Sequence, residues 1–147
     1  MEIAKIIDHT NISKKAKAKD IKETCQEAKK YGFRGVCVRL EWVKLVSKEL
    51  RGTSIKTIAL IDPPIGDSPH KKRIRMCQKA KKDGADELDV VMNIVDAKHG
   101  RWNKILKDLK EIWKICSEKK FQKWYYMTVS LAHTNLKLVG YLLVEER

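Results

Sequence analysis

The stretch Lys81-Lys82-Asp83-Gly84-Ala85-Asp86-Glu87-Leu88-Asp89-Val90-Val91-Met92-Asn93 decides the fold. It opens on the basic end of a helix, where lysines meet the negative end of the helix dipole. Gly84 then closes that helix as a residue free to adopt a left-handed conformation. From Glu87 to Met92 the chain is a short, mostly apolar run, as expected of a strand buried on both faces. The same pattern occurs upstream, where Lys29-Lys30-Tyr31-Gly32 leads into Phe33 to Val38. A basic helix end, a glycine and a buried strand, twice over, predict βα units around a parallel sheet.

Working outward, the remaining elements fall into the same alternation. Ile3 to Ile7 is a short strand candidate, followed by a polar turn at Asp8-His9-Thr10-Asn11. A helix begins near Asp20, a candidate N-cap, with Ile21, Cys25 and Ala28 as its apolar stripe and Gly32 as its end. Val36-Cys37-Val38 is the next strand core, and Trp42, Val43, Leu45, Val46 and Leu50 mark a second helix ending near Gly52. The third strand, Ile55 to Ile61, stops at Asp62-Pro63-Pro64-Ile65-Gly66, which continues neither helix nor sheet. A third helix runs from about Pro69 to Asp83, with Ile74, Cys77 and Ala80 inward. In the fourth, Trp102, Ile105, Leu106, Leu109, Ile112, Trp113 and Cys116 form one continuous face. Two architectures accommodate this order, an open doubly wound sheet and part of a (β/α)8 barrel. No GxGxxG or GxxxxGK[ST] follows a strand, which disfavours the nucleotide-binding open sheet. The expected fold class is therefore α/β, a partial TIM (β/α)8 barrel of about the first four to five βα units.

The chain has 147 residues, 43% of them apolar, and a formal charge of +13. Those proportions suit a globular core and exclude wholesale disorder. Lys supplies 25 of the 32 basic residues, and they are spread along helices as solvated faces rather than gathered in one arm. No zinc-finger, RRM-like or helix-turn-helix pattern accompanies the charge, so a nucleic-acid partner is not expected. No apolar run is long enough for a membrane span and no signal-peptide core opens the chain, which predicts a cytoplasmic protein without a membrane partner. Cys25, Cys37, Cys77 and Cys116 show no CxxC pairing, and His9, His70, His99 and His133 are dispersed. Buried reduced thiols and no metal are the expectation.

In a βα barrel, chemistry emerges at the C-terminal ends of strands. That rule selects Asp8-His9-Thr10, Arg39-Leu40-Glu41, the loop from Asp62 to Ser68, and Asp89 with Asn93. Asp89 is the most informative, because a carboxylate within a buried run needs partners. It is either tuned for proton transfer beside a lysine or one half of a structural ion pair or hydrogen bond. Asp8 faces the same choice.

Ile6-Ile7-Asp8-His9-Thr10, Val36-Cys37-Val38, Lys48-Glu49-Leu50-Arg51-Gly52-Thr53 and the block from Gly84 to Ile94 resemble deoxyribose-phosphate aldolase, in order and at matching spacing from about Ile3 to Ser117. The resemblance implies a class I aldolase on a TIM barrel. Such enzymes reversibly cleave 2-deoxy-D-ribose 5-phosphate to D-glyceraldehyde 3-phosphate and acetaldehyde through a lysine Schiff base, without metal or cofactor, in deoxyribonucleotide catabolism. It implies Asp89 as the proton donor and acceptor, Asp8 as a supporting acid, and Cys37 as a residue of the substrate pocket. The implied partners are a phosphorylated sugar or aldehyde substrate and further copies of the chain in a homo-oligomer.

The chain also departs from the family. Arg39-Leu40 stands where the family has Asn-Pro, and Asp62-Pro63-Pro64-Ile65-Gly66 replaces Gly-Phe-Pro-x-Gly. Asp62 is expected to add negative charge on the catalytic face. At the position of the family's fifth strand the chain reads Lys123-Trp124-Tyr125-Tyr126-Met127-Thr128, and the resemblance then fades. The expected organisation is residues 1–120 as the N-terminal part of an aldolase-type barrel and residues 121–147 as a divergent tail. The Schiff-base lysine segment Lys-Thr-Ser-Thr-Gly has no counterpart, so no lysine is nominated as nucleophile and activity of the chain alone is expected to be impaired. A frameshift near the codons for Gln122 to Trp124 is the simplest source of this pattern. The alternative is a non-catalytic half-barrel that associates with another chain.

Overall fold

In a computed structural model of the chain, residues 3–116 and the backbone of 125–126 are described. Five parallel strands lie in the order β1 (Asp8–Asn11), β2 (Gly35–Arg39), β3 (Lys56–Ile61), β4 (Glu87–Val90) and β5 (Tyr125–Tyr126). Between them run α1 (Ala18–Tyr31), α2 (Val43–Glu49), α3 (His70–Lys82), the short α4 (Ile94–Lys98) and α5 (Trp102–Cys116).

The core shows which of the two expected architectures this is. Alternate strand residues Val36, Val38, Ala59, Ile61, Leu88 and Val90 pack against Ile21, Cys25 and Ala28 of α1, Val43 and Val46 of α2, Cys77 and Ala80 of α3, and Ile112 of α5. These helices all cover one face of the sheet, whereas a doubly wound sheet carries helices on both. Among the described residues, the opposite face holds a small cluster, Cys37, Ile58 and Leu60, with Val91 against it. One-sided helix cover with strictly sequential parallel strands is the arrangement of a (β/α)8 barrel segment. Full burial of an Ile, Val or Leu contributes about 1.5–3 kcal/mol, so the helix-covered face carries most of the stability.

The α1 stripe Ile21, Cys25 and Ala28 is fully buried, and Gly32 takes the left-handed conformation that ends the helix. Other expectations are corrected. Asp20 is not the N-cap of α1; it lies in the first turn and accepts the Lys17 N–H at 2.7 Å. Ile3–Ile6 is a 3-10 turn rather than a strand, and the polar Asp8–Asn11 is β1 itself. Polar residues hold a strand here because α1 offers partners. Asn11 Nδ2 donates to Thr24 Oγ1 at 3.1 Å, and the His9 ring lies 2.7 Å from Glu27. The isoleucines before it stay outside, Ile3 at 70% and Ile6 at 57% exposure. β4 ends at Val90, because the Asn93 side chain accepts the Asp96 N–H at 2.8 Å and starts α4. Asn93, picked out by its place beyond the strand, is therefore a helix cap. On the stripe of α3 the fully enclosed residue beside Cys77 and Ala80 is Arg73, while Ile74 is only half-buried.

Cys25, Cys37 and Cys77 are buried and not joined in disulfides. Among the described residues, no helix is long and apolar enough to cross a membrane, and no group of three His, Cys, Asp or Glu is placed to hold a metal ion. Apart from the β5 backbone, the tail 121–147 and its proposed frameshift lie outside the described residues.

Candidate active site on the helix-free face

Strand register lays the candidate residues out in rows on the face that, among the described residues, no helix covers. Asp8 pairs with Gly35 and Gly35 with Lys56 in the first row. Thr10, Cys37, Ile58 and Glu87 form the second. Arg39, Leu60 and Asp89 form the third, nearest the C-terminal ends of the strands. Because side chains alternate along a strand, these residues share one face. Asp8, Cys37 and Asp89, nominated separately from sequence, thus occupy three successive rows.

The lower rows are organised by a residue that sequence reading missed. Arg34 Nη1 donates to both oxygens of Asp8, at 2.7 and 2.9 Å, and Nη2 to both oxygens of Glu87, at 2.7 and 2.6 Å. One guanidinium therefore ties the first strand to the fourth through two bidentate pairs, a geometry that a lysine could not supply. Gly35 makes room for this clamp. A Cβ there would stand 2.6 Å from Ile58 Cδ1 and 2.7 Å from Asp8 Oδ1. Burial raises the Glu87 pKa despite the opposing Arg34 hydrogen bond and charge. The Arg34 pKa is pushed up: its hydrogen bonds to Glu87 and Asp8 overcome burial, the largest single effect.

Cys37 reports the electrostatics at the centre of the face. Burial, followed by the nearby negative charges of Asp89 and Asp8, pushes its thiol up to about 12. A thiol in that state is neutral at physiological pH and is a poor nucleophile. Cys37 can shape a pocket wall but is not an attacking group.

The loop after β3 shows a second organising arginine. Asp62 has φ +59, a left-handed conformation that favours glycine or Asn/Asp over other residues. Its side chain is not bare charge at the mouth, as expected from sequence; it is 7% exposed and paired with Arg73, itself 2% exposed. Arg73 Nη1 donates to Asp62 Oδ2 at 2.8 Å and to the Gly66 carbonyl at 3.0 Å. Nη2 donates to the Val91 carbonyl at 2.9 Å and Nε to Asp108 Oδ2 at 3.0 Å. Gly66 has φ +66, and a Cβ on it would fall 2.4 Å from the Val91 carbonyl oxygen. Arg73 and this close approach together seat the β3–α3 loop against the end of β4. A 390 Å³ cavity lies on the far side of that loop, walled by Ser68, His70, Asn93, Asp96, Lys104 and Asp108 among others. It is separate from the residues of the helix-free face. Neither arginine was legible, because in a chain with 35% charged residues a single Arg carries no sign that it is buried.

Sequential parallel strands with one-sided helix cover, and carboxylates on the other face, place the chain among proteins of the (β/α)8-barrel class. The model of the DeoC/LacD family aldolases matches residues 2–124, and the chain belongs to this deoxyribose-phosphate aldolase family. The deoxyribose-phosphate aldolase of Thermococcus gammatolerans is 40% identical over 121 residues, covering 81% of this chain and 54% of that protein. A solved aldolase structure superposes with a TM-score of 0.82 at 25% identity, over 92% of this chain and 58% of that one. The tetrameric deoxyribose-phosphate aldolase of Aeropyrum pernix superposes with a TM-score of 0.67 at 25% identity, over 77% of this chain and 48% of that one. The chain spans about half the length of the curated relatives it matches.

Proposed function

We propose that this chain supplies the first half of a deoxyribose-phosphate aldolase catalytic face, with Asp89 as its proton donor and acceptor. The observation that supports this reading is the convergence on one face of Asp8, Cys37 and Asp89, with the Cys37 thiol in the field of both carboxylates. Asp8, held by Arg34, is the supporting acid, and the neutral Cys37 lines the substrate pocket. The substrate is 2-deoxy-D-ribose 5-phosphate, cleaved to D-glyceraldehyde 3-phosphate and acetaldehyde through a lysine Schiff base. No lysine of this chain stands in the motif that provides that amine, so the 147-residue chain alone does not complete the cycle.

The test has two arms. The purified chain is assayed for retro-aldol cleavage and borohydride trapping, with neither expected; turnover would overturn the deficiency. Residues 1–120 are then fused to the remaining half of the Thermococcus gammatolerans enzyme. That chimera is expected to cleave substrate, and Asp89→Asn to lower its kcat about 10²-fold or more, the usual range for losing an acid–base group. An active chimera indifferent to Asp89→Asn sinks the assignment.

A second reading is a half-barrel that pairs with another chain. It is favoured by β1, which ends the sheet next to the exposed Ile3, Ile6, Ile7 and Ile12. Open strand edges drive association. A defined dimer by light scattering supports this reading, and a monomer refutes it.

A further inference from the structure

His70 opens α3 and points both ring nitrogens at α5. Nδ1 lies 2.5 Å from Asp108 Oδ1, and Nε2 lies 2.6 Å from Glu111 Oε2. A neutral imidazole has one donor nitrogen and one acceptor nitrogen. Facing two carboxylates, its acceptor nitrogen would meet another acceptor at hydrogen-bond distance, which is repulsive. Only the imidazolium, a donor at both nitrogens, satisfies this geometry. We propose that His70 is a proton-operated clamp that fastens α5 onto α3 while the ring is doubly protonated and loosens it when the proton leaves.

The surroundings agree with the geometry. The hydrogen bond to Asp108 is the main cause raising the His70 pKa above 6.5, with burial opposing it and Glu111 adding to it. The hydrogen bond from His70 is likewise the main cause holding Glu111 below its ordinary 4.5. The other charges facing the clamp are Arg73 from α3, Asp67 from the β3–α3 loop, Asp96 from α4, and Lys104, Lys107 and Lys114 from α5. Arg73 bonds the clamp residue Asp108 directly, and as a guanidinium it stays charged throughout. The proton-dependent part of the contact therefore rests on His70 at neutral pH and on Glu111 at acid pH. A further polar tie between the helices, Lys81 Nζ to the Ile115 carbonyl at 3.0 Å, lies at the opposite end of α3.

The sign follows from linkage. A histidine with a raised folded pKa contributes stability fully below the unfolded value near 6.5, and loses it as pH rises through the folded value. Glu111 sets the acid limit, since its contribution is lost as pH falls below 4.5 through its lowered value. The clamp is closed between these limits. Each pH unit by which the folded midpoint exceeds the unfolded one corresponds to about a tenfold increase in the opening of α5 across the transition.

The test uses the full chain. The ring proton resonances of His70 are followed by NMR from pH 5 to 9, alongside amide exchange of α5 corrected for intrinsic base catalysis. A midpoint above 6.5, with α5 protection falling in step, is expected. His70→Gln should make α5 protection independent of pH over that range. Should that variant not fold, Glu111→Gln at a half-buried position keeps the test open, and the His70 midpoint should move down. A midpoint at or below 6.5, an unmoved midpoint in Glu111→Gln, or unchanged pH dependence in His70→Gln would overturn the clamp.

Discussion

Replacing Arg73 by Met is the substitution with the largest expected consequence. The methionine preserves much of the volume but removes four hydrogen bonds, two of them to carboxylates. Asp108 retains His70, whereas Asp62, 7% exposed, keeps only the Ser68 N–H at 3.0 Å. Stripping one partner from a buried ion pair typically destabilises by about 3–5 kcal/mol, mostly by leaving the other charge uncompensated. For a chain of this size that corresponds to a fall in Tm of roughly 10 °C or more. Thermal and urea unfolding followed by circular dichroism measures it directly. If the orphaned Asp62 carboxylate is the cause, then Asp62→Gly in the same molecule removes it, and glycine also suits the left-handed φ of +59. The double variant should therefore recover at least about 1.5 kcal/mol over Arg73→Met, within the range of coupling energies for contacting residues. Arg73→Lys should fall in between, because a lysine cannot reproduce the planar fork. A loss below about 1 kcal/mol for Arg73→Met, or strict additivity of the two changes, would refute the assignment of a buried, energetically coupled pair.

Three further outcomes follow from the geometry. Gly35→Ala should destabilise by about 1–3 kcal/mol, as overpacking does, since the new Cβ meets Ile58 and Asp8 at 2.6 and 2.7 Å; unchanged urea unfolding would contradict that crowding. Asn93→Ala should cost about 1 kcal/mol through loss of the α4 cap, read as a lower urea midpoint, and no change would remove Asn93 from that role. The Cys37 thiol, held up near 12, should resist iodoacetamide at pH 8 in the folded chain and react on denaturation; mass spectrometry showing native-state labelling at Cys37 would be inconsistent with a buried neutral thiol.

Local patterns were enough for the scaffold. The helix ends at Gly32 and Gly84, the buried stripe Ile21, Cys25 and Ala28, and the strands around Val36–Val38 and Leu88–Val90 were all legible, because periodicity and left-handed glycines act over a few residues. β1 was misread because a polar strand has no apolar alternation to announce it. Its support comes from Glu27, Thr24 and Arg34, which lie 18, 13 and 26 positions away.

The sequence by itself determined the βα rhythm, the family and the three candidates Asp8, Cys37 and Asp89. Tertiary structure alone decided that the described long helices cover one face, and so that those candidates share the other. It also decided what the charges do. Arg34 joins residues 26 and 53 positions away, Arg73 pairs across 11 and 35, and His70 reaches 38 and 41. Hydrophobic burial repeats with the period of a helix or strand and leaves a trace along the chain. An ion pair is set by which two side chains the fold brings within about 3 Å, and neighbours in sequence carry no record of that.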